Sequence, residues 1–313
     1  MKHHNLIDKL EKDTMCGIAG LITRNNGGLG NDLINMLKEL VHRGKDATGV
    51  AIYEKRSDVQ LRASMTSATH EKSLLDIIQA HGKVTHSRSY PGVGIYTFFD
   101  GSLDMDSNQV SQLHWDIDSH PDLCVHSIGK QLKVYKDQGS AEDLQKAHKI
   151  QVGRCTHGIG HVRLATESVE NVNFSHPYVS YLYPELSLVH NGQFTNYFNM
   201  RRRLENKGIR FKTANDTEVA AHFIAYEMKE NGYDLEGAMH LALDTFDGIF
   251  TILVATTDQI GAFRDRLAFK PVVVYEKEDG TVLFGSEQIA LTPIVSDVYA
   301  TEMEPGGVKV WSV

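Results

Sequence analysis

The chain has 313 residues, 41% of them hydrophobic, enough for one large domain or two ordinary ones with a substantial core. Its net charge of −8 argues against a nucleic-acid surface, which needs a concentrated basic patch. No apolar run approaches the ~20 residues that cross a bilayer, and three cysteines without CxxC spacing fit a reducing cytoplasm better than a disulfide framework or a metal site.

Residues 1–15 alternate in charge and lack the apolar stretch of a secretory signal, so they read as a leader or propeptide. Cys16 then heads an apolar, strand-like run, 16–23. Taken alone it could be a small buried hydrophobe. The functional reading is that the mature protein begins at Cys16. That residue would then hold a thiol nucleophile, with a pKa of ~8.5, and an α-amine of ~8 able to serve as its general base.

Apolar positions within 32–41 recur at helical spacing, with Asn31 or Asp32 as the cap. His42-Arg43-Gly44-Lys45-Asp46 follows, then strands at 50–53 and 59–63 and a helix at 73–80. The segment 91–140 reads as a surface elaboration. Strands are expected at 93–99 and 132–135, around an acidic, loop-like stretch at 100–118 that is a candidate docking loop for a partner. A short helix at 141–148 precedes the stretch 157–167, a strand running into a polar turn. Another strand, 186–190, ends at Asn191-Gly192, which in isolation reads as a hairpin turn. Helices are expected at 194–207, at 219–229 behind Asn215-Asp216, and at 235–246. Strands at 249–255, 260–264, 272–275 and 282–285, a short helix at 288–293 and a strand at 308–311 close the chain. Two layers of mostly antiparallel strands covered by helices form the simplest packing.

In combination and in order, five motifs resemble the class II glutamine amidotransferases, the family with an N-terminal cysteine nucleophile. They are Cys-Gly-Ile-Ala-Gly at 16–20, His-Arg-Gly-Lys-Asp at 42–46, Gly-His-Val-Arg-Leu-Ala-Thr at 160–166, Val-His-Asn-Gly at 189–192 and Asn-Asp-Thr-Glu at 215–218. Asp247-Gly248, Arg264-Asp265, Lys270-Pro271 and Gly285-Ser286-Glu287 also fit. The resemblance covers essentially 16–313 and implies an α+β fold, a four-layer αββα sandwich of two mostly antiparallel sheets. It implies glutamine as substrate and a γ-glutamyl thioester on Cys16. Asn191 and Gly192 would supply oxyanion donors. Arg163 would take the α-carboxylate, with Thr166 near it, Asp216 the α-ammonium, and Arg43 a supporting role near the nucleophile.

Leu164, Glu167 and Lys45 depart from the sugar-phosphate and purine-pathway members of the family. The string Gly-Ile-Gly-His-x-Arg-x-Ala-Thr-Glu-Ser at 158–168, with Val134-Tyr135-Lys136 upstream and the Arg-Asp…Lys-Pro ending, looks more like free-standing subunits of glutamate-synthase-type complexes, including glutamate and N-methylglutamate synthases. That resemblance implies a synthase partner carrying FMN and an iron–sulfur cluster, and a further subunit of β-helix type. No cofactor or metal motif is visible in this chain itself. The alternatives are a stand-alone glutaminase or the amidotransferase of another pathway, and a catalytically silent structural or regulatory subunit.

Overall fold

The computed structural model describes residues 16–24, 28–150, 154–164, 172–297 and 299–313. The chain begins with β1 (Gly17–Ile22), α1 (Leu29–Glu39), β2 (Ala47–Glu54) and β3 (Val59–Met65). It continues through α2 (Glu71–Gln79), β4 (Gly82–Pro91), β5 (Thr97–Met105), α3 (Val110–Asp118), β6 (Leu123–Gly129), β7 (Leu132–Gln138) and α4 (Ala141–His148). The middle holds β8 (Cys155–Arg163), β9 (Tyr178–Val179), β10 (Ser187–Phe194), α5 (Tyr197–Glu205), α6 (Asp216–Glu230) and α7 (Leu235–Thr245). The end is β11 (Gly248–Ala255), β12 (Gln259–Arg264), β13 (Val273–Glu276), β14 (Val282–Gly285), β15 (Thr301–Glu302) and β16 (Val308–Ser312).

These strands form a seven-stranded sheet, β15-β13-β14-β1-β8-β2-β7, and a five-stranded sheet, β16-β12-β11-β10-β9. Neighbouring strands in both are antiparallel. β1 lies between β14 and β8, which is why its six residues are all buried and read as a continuous apolar run. Its side chains alternate. Ala19 and Leu21 pack outward with Leu33, Leu37 and Leu144 of α1 and α4. Ile18 and Ile22 pack inward with Val189, Leu253 and Ala255 of the facing sheet. The outer face of that second sheet, through Leu188, Phe194 and Val254, meets Ala220, Ile224 and Met239 of α6 and α7. The result is helix, sheet, sheet, helix: the four-layer α+β sandwich expected of the family.

Several expectations need correction. The 100–118 stretch is not a loop. It is the second half of β5, a short 3₁₀ turn and α3. With β3, β4 and β6 it builds a third, four-stranded sheet, β4-β5-β3-β6. Val110, Leu113 and Ile117 of α3 and Leu74 and Ile78 of α2 pack on Leu61, Ala63 and Val125 of that sheet. The apolar spacing of α3 is helical, but the intervening Asp and Ser residues hid it, whereas α2 is the helix expected at 73–80. β4 escaped notice because it is an edge strand with mostly exposed, polar side chains. The addition therefore runs from β3 to β6, whereas β7 within 91–140 belongs to the large sheet. Asn191-Gly192 is not a turn either. Both residues lie inside β10, paired with Thr251 and Phe250. α1 starts at Leu29 behind a left-handed Gly28 (φ 91°), with no side-chain cap from Asn31 or Asp32.

Candidate active site

Cys16 stands at the head of β1, beside the end of β8 where Arg163 leaves the sheet. Its carbonyl oxygen accepts from Arg43 Nε at 3.0 Å and from Asn191 Nδ2 at 2.9 Å. Arg43 is 4% exposed and is held from behind by Glu287, which also accepts from His42 at 3.1 Å. Burial works against the Glu287 charge, but the Arg43 and His42 contacts outweigh it and hold the carboxyl below its usual range. Next along β1, the Ile18 N–H donates to Ser286 Oγ at 2.9 Å and the Ser286 N–H to the Ile18 carbonyl at 2.9 Å. The Gly-Ser-Glu motif thus brackets the start of β1.

The His-Arg-Gly-Lys-Asp motif divides its labour. Arg43 grips Cys16. Gly44 lets the backbone pass against Arg163, where a Cβ would collide with the Arg163 carbonyl carbon. The Asp46 N–H donates to the Arg163 carbonyl at 3.0 Å. Arg163 itself, half-buried, donates from Nη1 to the Phe174 carbonyl at 2.9 Å.

Asp216 is the first residue of α6. The cap is its neighbour Asn215, whose side chain accepts from the Thr217 N–H at 2.8 Å. Asp216 is therefore spared the capping role. Its carboxylate accepts from the Phe194 N–H at 3.2 Å and Thr217 Oγ1 at 3.3 Å, and lies 3.7 Å from His190 Nδ1. Gly192 adopts φ 141°, and a Cβ there would be driven into the Ile249 carbonyl of the neighbouring strand.

These elements enclose a cavity of about 470 Å³, on whose walls Cys16, Arg163, Gly192 and Asp216 meet. Asn191 and Arg43 do not line it, but both bind the Cys16 carbonyl, which sets the Asn191 amide beside the nucleophile. Thr166 and the 1–15 leader lie outside the described residues. Residues that sequence reasoning did not single out complete the wall: Phe174, His176, His190, Phe194 and Tyr197. His176 Nε2 and His190 Nδ1 share the Thr217 hydroxyl, at 2.8 and 3.1 Å. Burial lowers the pKa of both rings, so they are neutral polar walls. Only His190, inside the Val-His-Asn-Gly motif, carried a sequence signal.

Burial pushes the Cys16 thiol up, against the pull of the Leu164 N–H and the cations Arg163, Lys270 and Arg43. A neutral resting thiol needs a base to become a nucleophile. The wall also pairs a guanidinium with a carboxylate, the complement of an α-amino acid.

Residues 161–293 match the glutamine amidotransferase domain family. A Methanothermobacter thermautotrophicus protein named as a glutamine amidotransferase is 31% identical over 310 residues, 96% of this chain and 100% of that one. The glutamine amidotransferase-like protein GlxB of Rhizobium meliloti is 33% identical over 310 residues, 95% of this chain and 98% of its own. Among solved structures, the glutamine phosphoribosylpyrophosphate amidotransferase of B. subtilis superposes with a TM-score of 0.59 at 20% identity. That match covers 95% of this chain and 49% of the other, so this chain spans about half that enzyme's length.

Proposed function

Because the chain belongs to the glutamine amidotransferase family, we propose that it hydrolyses glutamine to glutamate and ammonia through a γ-glutamyl thioester on Cys16. The observation that carries this reading is the meeting of Cys16, Arg163, Gly192 and Asp216 on one cavity. Arg163 receives the α-carboxylate of glutamine through its guanidinium fork, and Asp216 the α-ammonium. Those two anchors orient the side-chain amide toward the thiol. The thiol proton passes to the α-amine of a chain that starts at Cys16, and the sulfur attacks the amide carbon. The Gly192 N–H and the second N–H of the Asn191 amide receive the oxyanion. The proton then goes to the departing nitrogen, which leaves as ammonia. Water, deprotonated by the same amine, attacks the thioester and restores the thiol.

The product ammonia is taken to serve a partner, a glutamate- or N-methylglutamate-synthase-type subunit with FMN and an iron–sulfur cluster, beside a β-helix-type subunit. Leu164, Glu167 and Lys45 support that assignment over a sugar-phosphate or purine pathway. The decisive test compares two proteins: one beginning at Cys16, the other retaining residues 1–15. Glutamine hydrolysis by the first and not the second is expected. Equal rates would remove the α-amine from the mechanism.

A further inference from the structure

A second cavity, of about 440 Å³, lies along the seam between the small sheet and the large one. Its walls come from β3, β4, β5 and β7, with Arg56 just before β3 and Lys149 just after α4. It shares no residue with the cavity around Cys16.

Four cations line it, Arg56, Arg88, Lys133 and Lys149, against a single carboxylate, Asp100. That carboxylate is already shared. Buried Arg62 binds one oxygen, and Arg88 Nε and Nη2 bind the other at 3.1 and 2.8 Å. Arg56 is paired with Glu54. Lys133 and Lys149 form no side-chain hydrogen bond or ion pair among the described residues. Burial and the nearby Arg56 and Arg62 guanidiniums pull Lys133 down to about 8, against Asp100 and Glu54.

Such an arrangement costs stability. Like charges are gathered around a half-buried ammonium that makes no ion pair, in a chain whose net charge is −8. An anion in the cavity would remove that cost. Two ammoniums that make no ion pair, beside the guanidinium N–H groups that Glu54 and Asp100 leave over, suit clustered oxygens, and the volume is in the range of small-molecule sites. The Tyr135 ring, on the same wall, has one face covered by the Arg62 guanidinium at 3.9 Å and is 5% exposed, so it offers little surface for a stacked base.

We propose that this cavity binds a small polyanion, a phosphate ester or a di- or tricarboxylate, whose oxygens bridge Arg88 of β4 to Lys133 of β7 and fasten the small sheet to the large one. Binding would stabilise the folded chain by mass action.

The experiment titrates the full chain calorimetrically with pyrophosphate and with citrate at constant ionic strength, and follows the thermal midpoint in parallel. Saturable binding of one equivalent is expected, with a raised midpoint. A tighter fit for pyrophosphate assigns the site to phosphate esters, and a tighter fit for citrate to carboxylates. Lys133→Met should weaken binding about tenfold or more, because it removes a desolvated charge from the contact. It should also raise the midpoint of the ligand-free protein. Lys149→Gln, at an exposed position, should weaken binding too, and keeps the test intact if Lys133→Met does not fold. No saturable binding of either probe, or an affinity unchanged in both variants, would overturn the proposal.

Discussion

Cys124 and Cys155 are buried, and burial pushes both thiols up to about 12. Cys16 alone sits at the wall that also holds Arg163 and Asp216. Cys16→Ala should therefore abolish glutamine hydrolysis, while Cys124→Ala and Cys155→Ala should retain it, as steady-state rates on folded variants will show. Loss of activity in folded Cys155→Ala would move the nucleophile. Asn191 has two tasks: its amide holds the Cys16 carbonyl, and its remaining N–H is assigned to the oxyanion. The first is already made in the resting structure, and the second comes into play as the transition state forms. Asn191→Ala should lower kcat by a factor corresponding to ~3 kcal/mol and change KM little. Arg163→Lys should already raise KM, since a point charge lacks the fork. An Asp216→Asn enzyme with unchanged kcat/KM would remove Asp216 from ammonium recognition.

At the level of elements, β10 carries a residue pair that looks like turn chemistry but is paired in mid-strand. The φ of 141° at Gly192 and the closeness of the Ile249 carbonyl exclude any side chain. Gly192→Ala should cost about 2–4 kcal/mol and reduce turnover together, read from chemical denaturation and kinetics. β8 carries a second testable feature. His157 stacks on Tyr53 with ring centroids 4.2 Å apart, and its Nε2 donates to the Thr256 carbonyl at 2.6 Å. Burial lowers its pKa to about 4. The folded chain thus refuses a proton that the unfolded chain takes near pH 6.5. Stability from this ring is whole above pH ~6.5 and is lost as pH falls toward 4, at up to ~1.4 kcal/mol per pH unit. Denaturation midpoints of His157→Phe should fall less steeply than wild type across that window; parallel slopes would show that the ring titrates normally.

At the scale of the whole molecule, the three sheets among the described residues do two jobs. The two larger ones press Cys16, Arg163, Gly192 and Asp216 together from four separate parts of the chain. The third is an addition with its own core. With 100–118 built into a strand and a helix, the reason to see a docking loop there disappears. Among the described residues no helix is long and apolar enough to cross a membrane. On the proposed assignment, the isolated chain should hydrolyse glutamine slowly and speed up when mixed with synthase-type subunits and the acceptor substrate. A rate indifferent to them would leave a stand-alone glutaminase.

The amino-acid sequence by itself picked out the residues that meet on the cavity wall. Cys16, Arg163, Gly192 and Asp216 sit in short motifs at strand heads, strand ends and a helix start, where side-chain type and local geometry are bound together. It also determined the two-layer core, because apolar periodicity is a local property. Only the tertiary structure decided what distant partners do. Glu287 reaches Arg43 across 244 positions, and Asn191 reaches Cys16 across 175. His176 becomes a wall residue only once β10 and α6 are packed beside it. The third sheet stayed hidden because its edge strand is polar and exposed, and its pairing is non-local. The cationic seam is likewise invisible in a chain of net negative charge: Arg56, Arg88, Lys133 and Lys149 become one surface only where two sheets meet.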